Sequence, residues 1–175
     1  LVGIDSEAGT TEILIIADAS ADQEFVAADL LSQADHDEAA ASVLVTDSVE
    51  LAERVRAAVE RRATSTRHAA RALEALSGPQ SAVILVENLE DAAKVSNAYG
   101  PGHLEIQTAA NDRVLELIDD AGAIVVGGCS PVSLGPAACP RCSRRTRPRQ
   151  PACSARTWQR CRPTDSPRRA RWPGA

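Results

Sequence analysis

Five short apolar runs, the first four each followed by a stretch with helical spacing, predict an α/β fold built on a mostly parallel sheet with helices on both faces. The runs occupy residues 12–17, 42–46, 82–86, 104–108 and 123–126. A second observation sets the limits of that domain, because composition changes abruptly after Gly135. Residues 1–135 hold 8 basic and 23 acidic side chains, a net of −15, whereas residues 136–175 hold 11 arginines and one acid, Asp165, a net of +10. The second stretch has no Leu, Ile, Val or Phe and carries seven prolines. It cannot bury enough apolar surface to offset its ordering entropy, so the expectation is an α/β domain over residues 1–135 and a disordered Arg/Pro/Cys-rich tail over 136–175.

Each element has a local reason. Residues 12–17, Glu-Ile-Leu-Ile-Ile-Ala, form a continuous apolar run of the kind that suits a strand buried on both faces. Asp18 to Asp22 supply a turn, with Ser20 or Asp22 as helix N-cap. Phe25, Val26, Leu30 and Leu31 then give a helical stripe that ends at Gln33 and His36. After the second strand, Asp47 and Glu50 have the spacing of a capping box for a helix with Leu51, Val55 and Val59 on its inner face. A polar stretch, 61–67, leads to a further helix around 69–76, and residues 89–99 follow the third strand as another. The fourth strand precedes a helix carrying Val114, Leu117 and Ile118. The strand at 123–126 ends at Gly127-Gly128.

Several classes are excluded. No apolar run reaches the roughly 18 residues of a membrane span, and no signal peptide is visible. Four of the five cysteines lie in the tail, and Cys129 ends an apolar run as a small buried hydrophobe. Residues 1–135 thus offer no disulfide framework, which fits a reducing cytoplasm. The chain opens on Leu1-Val2-Gly3-Ile4 and contains no methionine, and reads as a fragment whose beginning is missing.

Two places carry candidate chemistry. Gln33 and His36 are three residues apart, a spacing that on a helix sets both side chains on one face, close enough to share a ligand. With an apolar strand just before them, they are expected where an α/β sheet keeps its chemistry. A solvated or merely hydrogen-bonded histidine is the plainer alternative. The second place is Tyr99-Gly100-Pro101-Gly102-His103-Leu104-Glu105, where a histidine follows a tight turn at the entrance to a strand. An imidazole fixed there can act as a general base, or be a loop histidine with no task.

Taken together, Gly9-Thr10-Thr11-Glu12, Leu30-Leu31-Ser32-Gln33-Ala34-Asp35-His36, Gly100-Pro101-Gly102-His103-Leu104-Glu105 and Ala121-Gly122-Ala123-Ile124-Val125-Val126-Gly127, in this order, resemble histidinol dehydrogenase. The resemblance covers nearly all of residues 1–135 and implies a Rossmann-like fold. It implies a cytoplasmic homodimer that oxidises L-histidinol to L-histidine in two NAD-dependent hydride transfers, assisted by Zn2+. By that resemblance Gln33 and His36 match two zinc ligands that also lie against substrate. Thr11 stands where the family has a substrate-binding serine, and His103 matches the histidine that takes the alcohol proton. NAD contacts belong to a preceding domain, so no cofactor-binding residue is assigned here.

The chain also departs from the family. Gly102 occupies the position of the glutamate that activates water for the aldehyde step, and glycine can neither accept a proton nor orient water. Pro136 stands where the third zinc ligand, an aspartate, is expected, and the fourth is the partner subunit's. The resemblance stops there. A tail rich in Arg, Pro, Ala, Ser, Cys and Trp, beginning inside a family motif, reads as out-of-frame translation of a GC-rich gene. A Cys139/Cys142/Cys153/Cys161 zinc module has the wrong spacing, and an arginine-rich arm on nucleic-acid phosphates ranks below the out-of-frame reading. The expectation is a histidinol dehydrogenase relative that is inactive as written. The alternative is a non-catalytic α/β binding module with a basic, nucleic-acid-associating tail, which salt-sensitive duplex binding lost on deleting 136–175 would favour.

Overall fold

The computed structural model describes residues 11–64, 66 and 68–128, and the backbone of two short segments, 144–146 and 168–170. Strand β1 (Glu12–Ala17) is followed by helix α1 (Gln23–Ala34), β2 (Ala41–Thr46), α2 (Val49–Ala63) and α3 (Ala69–Ser77). Then come β3 (Ala82–Leu85), α4 (Leu89–Tyr99), β4 (His103–Gln107), α5 (Asn111–Glu116) and β5 (Ala123–Val126), with short strands β6 (Arg144–Thr146) and β7 (Arg168–Ala170) last. The sheet order is β6-β5-β4-β1-β2-β3-β7. The five strands β1 to β5 are parallel to their neighbours, whereas β6 and β7 add antiparallel to β5 and β3.

The expected mostly parallel α/β sheet is therefore present, in Rossmann-like order. Six residues of the tail add to the two sides of the sheet as β6 and β7. A sheet edge presents unpaired N–H and C=O groups that accept any extended backbone, whatever its side chains. The rest of the tail, with its four cysteines, and Cys129 and Pro136 lie outside the described residues.

Burial explains the continuous apolar runs. Ile13, Ile15 and Ala17 of β1 pack with α1, α2 and α3 on one face, and Leu14 and Ile16 pack with α4 and α5 on the other. Both faces are dry, so β1 cannot alternate polar and apolar residues. Asp22 caps α1 by accepting the Glu24 N–H at 2.8 Å. Phe25, expected in the buried stripe, is 45% exposed, and Val26, Ala27, Leu30, Leu31 and Ala34 make the inner face instead.

The expected Asp47–Glu50 box is also corrected: Ser48 caps α2, its hydroxyl oxygen accepting the Leu51 N–H at 3.1 Å. With the cap one residue later, Glu50 lies on the exposed side and pairs with Arg54 at 3.5 Å. Leu117, expected inside, follows the end of α5 and is exposed, while Val114 and Ile118 are buried.

Leu30 has no exposed surface and sits between β1, β2 and α2, so Leu30→Ala is expected to cost about 2–5 kcal/mol. Phe25→Ala, at the exposed position, is expected to stay within about 0.5 kcal/mol of the parent. Urea denaturation followed by circular dichroism distinguishes the two.

Candidate functional site

The carboxyl end of a doubly wound sheet, where strand order reverses between β1 and β4, is the usual ligand crevice. Here it is spanned by Asp18. One of its carboxylate oxygens accepts the Ala109 N–H at 2.8 Å, the other accepts the Ser20 N–H at 2.9 Å, and its own N–H donates to the Gln107 carbonyl at 3.4 Å. Burial pushes the neighbouring Asp47 carboxyl above its ordinary value, and the charge of Asp18 adds to the shift. A shallow cleft of about 230 Å³ opens at this edge between Asp47, Asn88, Glu90 and Arg113. The turn after β1 has no glycine, and a phosphate placed there would meet carboxylates instead of bare amides.

The candidate residues gather at the opposite, amino end. Thr11 immediately precedes β1, Gln33 and His36 lie at the end of α1, which runs back against the strands, and Gly102-His103 opens β4. The pair Gln33/His36 was expected at the chemistry-bearing end of the sheet, and this is corrected. A helix that follows a strand returns antiparallel to it, so its C-terminus comes back to the strand's beginning. The expectation that both side chains share one helix face also fails. Helix α1 ends at Ala34 with Asp35 as its C-cap, and His36 lies in the following turn, its N–H donating to the Gln33 carbonyl at 3.2 Å. Gln33 is 5% exposed, whereas His36 is exposed.

Local contacts fix this end of α1. The Ser42 hydroxyl donates to the Leu30 carbonyl at 2.9 Å, and Arg71 of α3 donates to the Asp35 carbonyl at 3.3 Å. Held there, the Gln33 amide nitrogen donates to the Thr11 hydroxyl oxygen, joining two of the motifs. With its nitrogen engaged, Gln33 keeps its carbonyl oxygen as the atom for a ligand.

The third motif is built by a glycine turn. Gly100 takes the left-handed conformation, φ 63°, that ends α4, its N–H donating to the Ser96 carbonyl at 2.8 Å. Pro101 follows, and the parallel pairing of β4 with β1 sets His103 beside Ile13. The Gly102 N–H donates to a Glu12 carboxylate oxygen at 2.6 Å, and His103 Nδ1 lies 3.3 Å from the Glu12 carbonyl oxygen. A Cβ at position 102 would stand 2.8 Å from that carboxylate oxygen, which sits at the end of a flexible side chain. Tyr99 belongs to the same corner. Burial pushes its phenol above the ordinary value, and the Glu12 charge adds to this.

Sequence reasoning missed Glu12, whose carboxylate and carbonyl both serve this corner. It also missed a buried acid pair on the α1 side of β4, Asp29 and Glu105, flanked by Gln107. Glu105 has no exposed surface, and Gln107 donates its amide to it at 2.9 Å. Burial pushes the Glu105 carboxyl well up, and the adjacent Asp29 carboxyl raises it further by charge and hydrogen bond. The signal in the sequence was the alternation Leu104-Glu105-Ile106-Gln107, which breaks the two-faced apolar pattern of the other strands.

As for metals, the donors offered here are Gln33 and His36. No group of three or more His, Cys, Asp or Glu side chains that could hold an ion comes together among the described residues. Structural and catalytic zinc sites take three or four protein ligands, so the described residues do not by themselves fit zinc. No helix among them is long and apolar enough to cross a membrane.

Residues 1–139 match the family model for histidinol dehydrogenase. The chain belongs to the histidinol dehydrogenase family. It is 64% identical over 133 residues to a histidinol dehydrogenase of Leifsonia xyli, covering 76% of this chain and 30% of that protein. It is 57% identical over 135 residues to one of Corynebacterium diphtheriae, covering 77% and 30%. The crystal structure of histidinol dehydrogenase from Elizabethkingia anophelis superposes with a TM-score of 0.71 at 36% identity, covering 77% of this chain and 30% of that one. The chain thus spans less than a third of the length of these histidinol dehydrogenases.

The buried acid pair has a pH signature. The raised Glu105 carboxyl binds its proton more tightly folded than unfolded, so its contribution to stability is present in acid and lost as pH rises through the elevated value. Glu105→Gln removes that proton linkage. Its thermal midpoint is expected to fall less between about pH 5 and 8 than the parent's. At the alkaline end it is expected to exceed the parent by about 2–4 °C, measured by circular dichroism melts.

Proposed function

We propose that this chain carries the amino-edge half of a histidinol dehydrogenase active site and that, with glycine at position 102, it does not complete the reaction. The observation that carries the reading is the convergence of three separate motifs at the amino end of the sheet. Thr11 and Gln33 are hydrogen-bonded to each other, and His103 is fixed on the adjacent strand against Glu12. Membership of the family supports L-histidinol as the substrate class.

In this reading the Thr11 hydroxyl and the Gln33 carbonyl hold polar groups of the substrate. His103 takes the proton from its alcohol oxygen as hydride leaves the adjoining carbon. NAD, when bound, supplies the hydride acceptor. The aldehyde step needs a second base for water, and Gly102 has no side chain to provide it. Gln33 and His36 are the chain's share of a zinc site; its third position is held by Pro136, whose side chain has no donor atom, and its fourth belongs to a homodimer partner. The cytoplasm is the compartment that this soluble biosynthetic chemistry and the single cysteine of residues 1–135 suit. The arginine-rich tail, read as out of frame, has no part in the site.

Two measurements test this. The purified 175-residue chain with L-histidinol, NAD and zinc is expected to yield no NADH above the protein-free rate, and zinc-dependent NADH production would refute the inactivity. Residues 11–128 grafted into the Leifsonia xyli relative are expected to lower histidine formation by about 10²–10⁴-fold, with Gly102→Glu in the graft restoring most of it. A graft that stays inactive with Gly102→Glu, although folded and dimeric like its parent, would count against the site assignment. Zinc alone gives a further check. At 100 µM it is expected to raise the thermal midpoint of the isolated chain by no more than about 2 °C, since two neutral donors bind it weakly.

A further inference from the structure

Position 102 is the place where a missing side chain changes what its neighbours do. Glu12 follows Thr11 and begins β1, one residue before the Ile13–His103 pairing. That register brings the Glu12 carboxylate to the Gly102 N–H at 2.6 Å, and the Glu12 carbonyl oxygen to His103 Nδ1 at 3.3 Å. On the other side the turn is clamped by β5, where the Gly102 carbonyl accepts the Ala123 N–H at 2.8 Å and the Pro101 carbonyl accepts the Gly122 N–H at 2.9 Å. A carbonyl oxygen can only accept. An imidazole nitrogen held against it is therefore the protonated one, which leaves the lone pair on Nε2.

We infer that Glu12 is the positioning residue of His103: its carboxylate fixes the Gly102 turn, and its carbonyl selects the Nδ1–H tautomer that leaves Nε2 free to accept a proton. The inference rests on the reading of His103 as the base, and it deepens that reading by naming what prepares the base. Glu12 touches no reacting atom in this scheme. Its effect passes through the turn and the ring.

The test is nitrogen NMR of the imidazole rings in the intact 175-residue chain at alkaline pH. The chain has three histidines, and the resonances lost in His103→Gln are those of His103. Exposed His36 serves as the reference within the molecule. His103 is expected to favour Nδ1–H over Nε2–H by about fivefold more than His36 does, the bias that one hydrogen bond of ordinary net strength supports. Glu12→Ala is expected to bring that bias down to the His36 value, and Glu12→Gln, whose amide oxygen still accepts the Gly102 N–H, to keep it.

A His103 tautomer ratio equal to that of His36 in the parent chain overturns the inference without any variant. So does an unchanged bias in a folded Glu12→Ala. If Glu12→Ala does not fold, Glu12→Asp, shorter by one methylene, decides the side-chain half: a reduced bias supports it and an unchanged one overturns it. Loss of the functional reading, through failure of the grafted segment, would leave the tautomer ratio as measured. A failed tautomer ratio would leave the graft result untouched.

Discussion

The parallel pairing of β1 with β4 is the constraint on which the rest of the molecule depends. It joins the first strand to the fourth across a long stretch of chain in which β2 and β3 extend the sheet the other way. The entropy of closing so long a loop must be met by the burial of both faces of β1. Once formed, the register leaves no freedom at the amino edge. Thr11, Glu12 and Ile13 on one strand lie beside Gly102 and His103 on the next, and the return of α1 brings Gln33 to the same place.

Much of this architecture could be read from residue order. All five parallel strands lie within about a residue of their expected positions because runs such as Ile13-Leu14-Ile15-Ile16 have no other way to be buried. What escaped was set by relations between elements. The amino-end position of Gln33 and His36 follows from the antiparallel return of α1 after β1, a rule of how a helix packs back on its strand and not of periodicity. The end of α1 was misplaced because no glycine marks it: Asp35 closes the helix in an ordinary right-handed conformation, and His36 then falls outside it. Thr11, Gln33 and His103 were legible through the family motifs. Glu12 was not, since its part is defined by a register contact with a residue far along the chain.

The interior carries a tension of its own. Asp29, Glu105 and Gln107 sit in a sheet–helix layer that is otherwise aliphatic, and Glu105 Oε2 and Gln107 Oε1 have no hydrogen-bond partner there among the described residues. Acceptors outnumber donors in this group. Retaining a proton is the cheapest remedy, because it converts one carboxylate oxygen into a donor. The layer that supports the candidate site is thereby tied to solution acidity, although the site itself lies at the amino end of the central strands.

The short approach between the Glu12 carboxylate and the place of a Cβ at 102 has a consequence for substitution. Positions 12 and 102 are coupled, because a side chain gained at 102 must move the Glu12 carboxylate that now holds the turn. The effect of any change at one depends on the state of the other. A side chain gained at 102 would ask only that the Glu12 carboxylate, at the end of a flexible stem, swing aside, so a single substitution there changes two side chains at once.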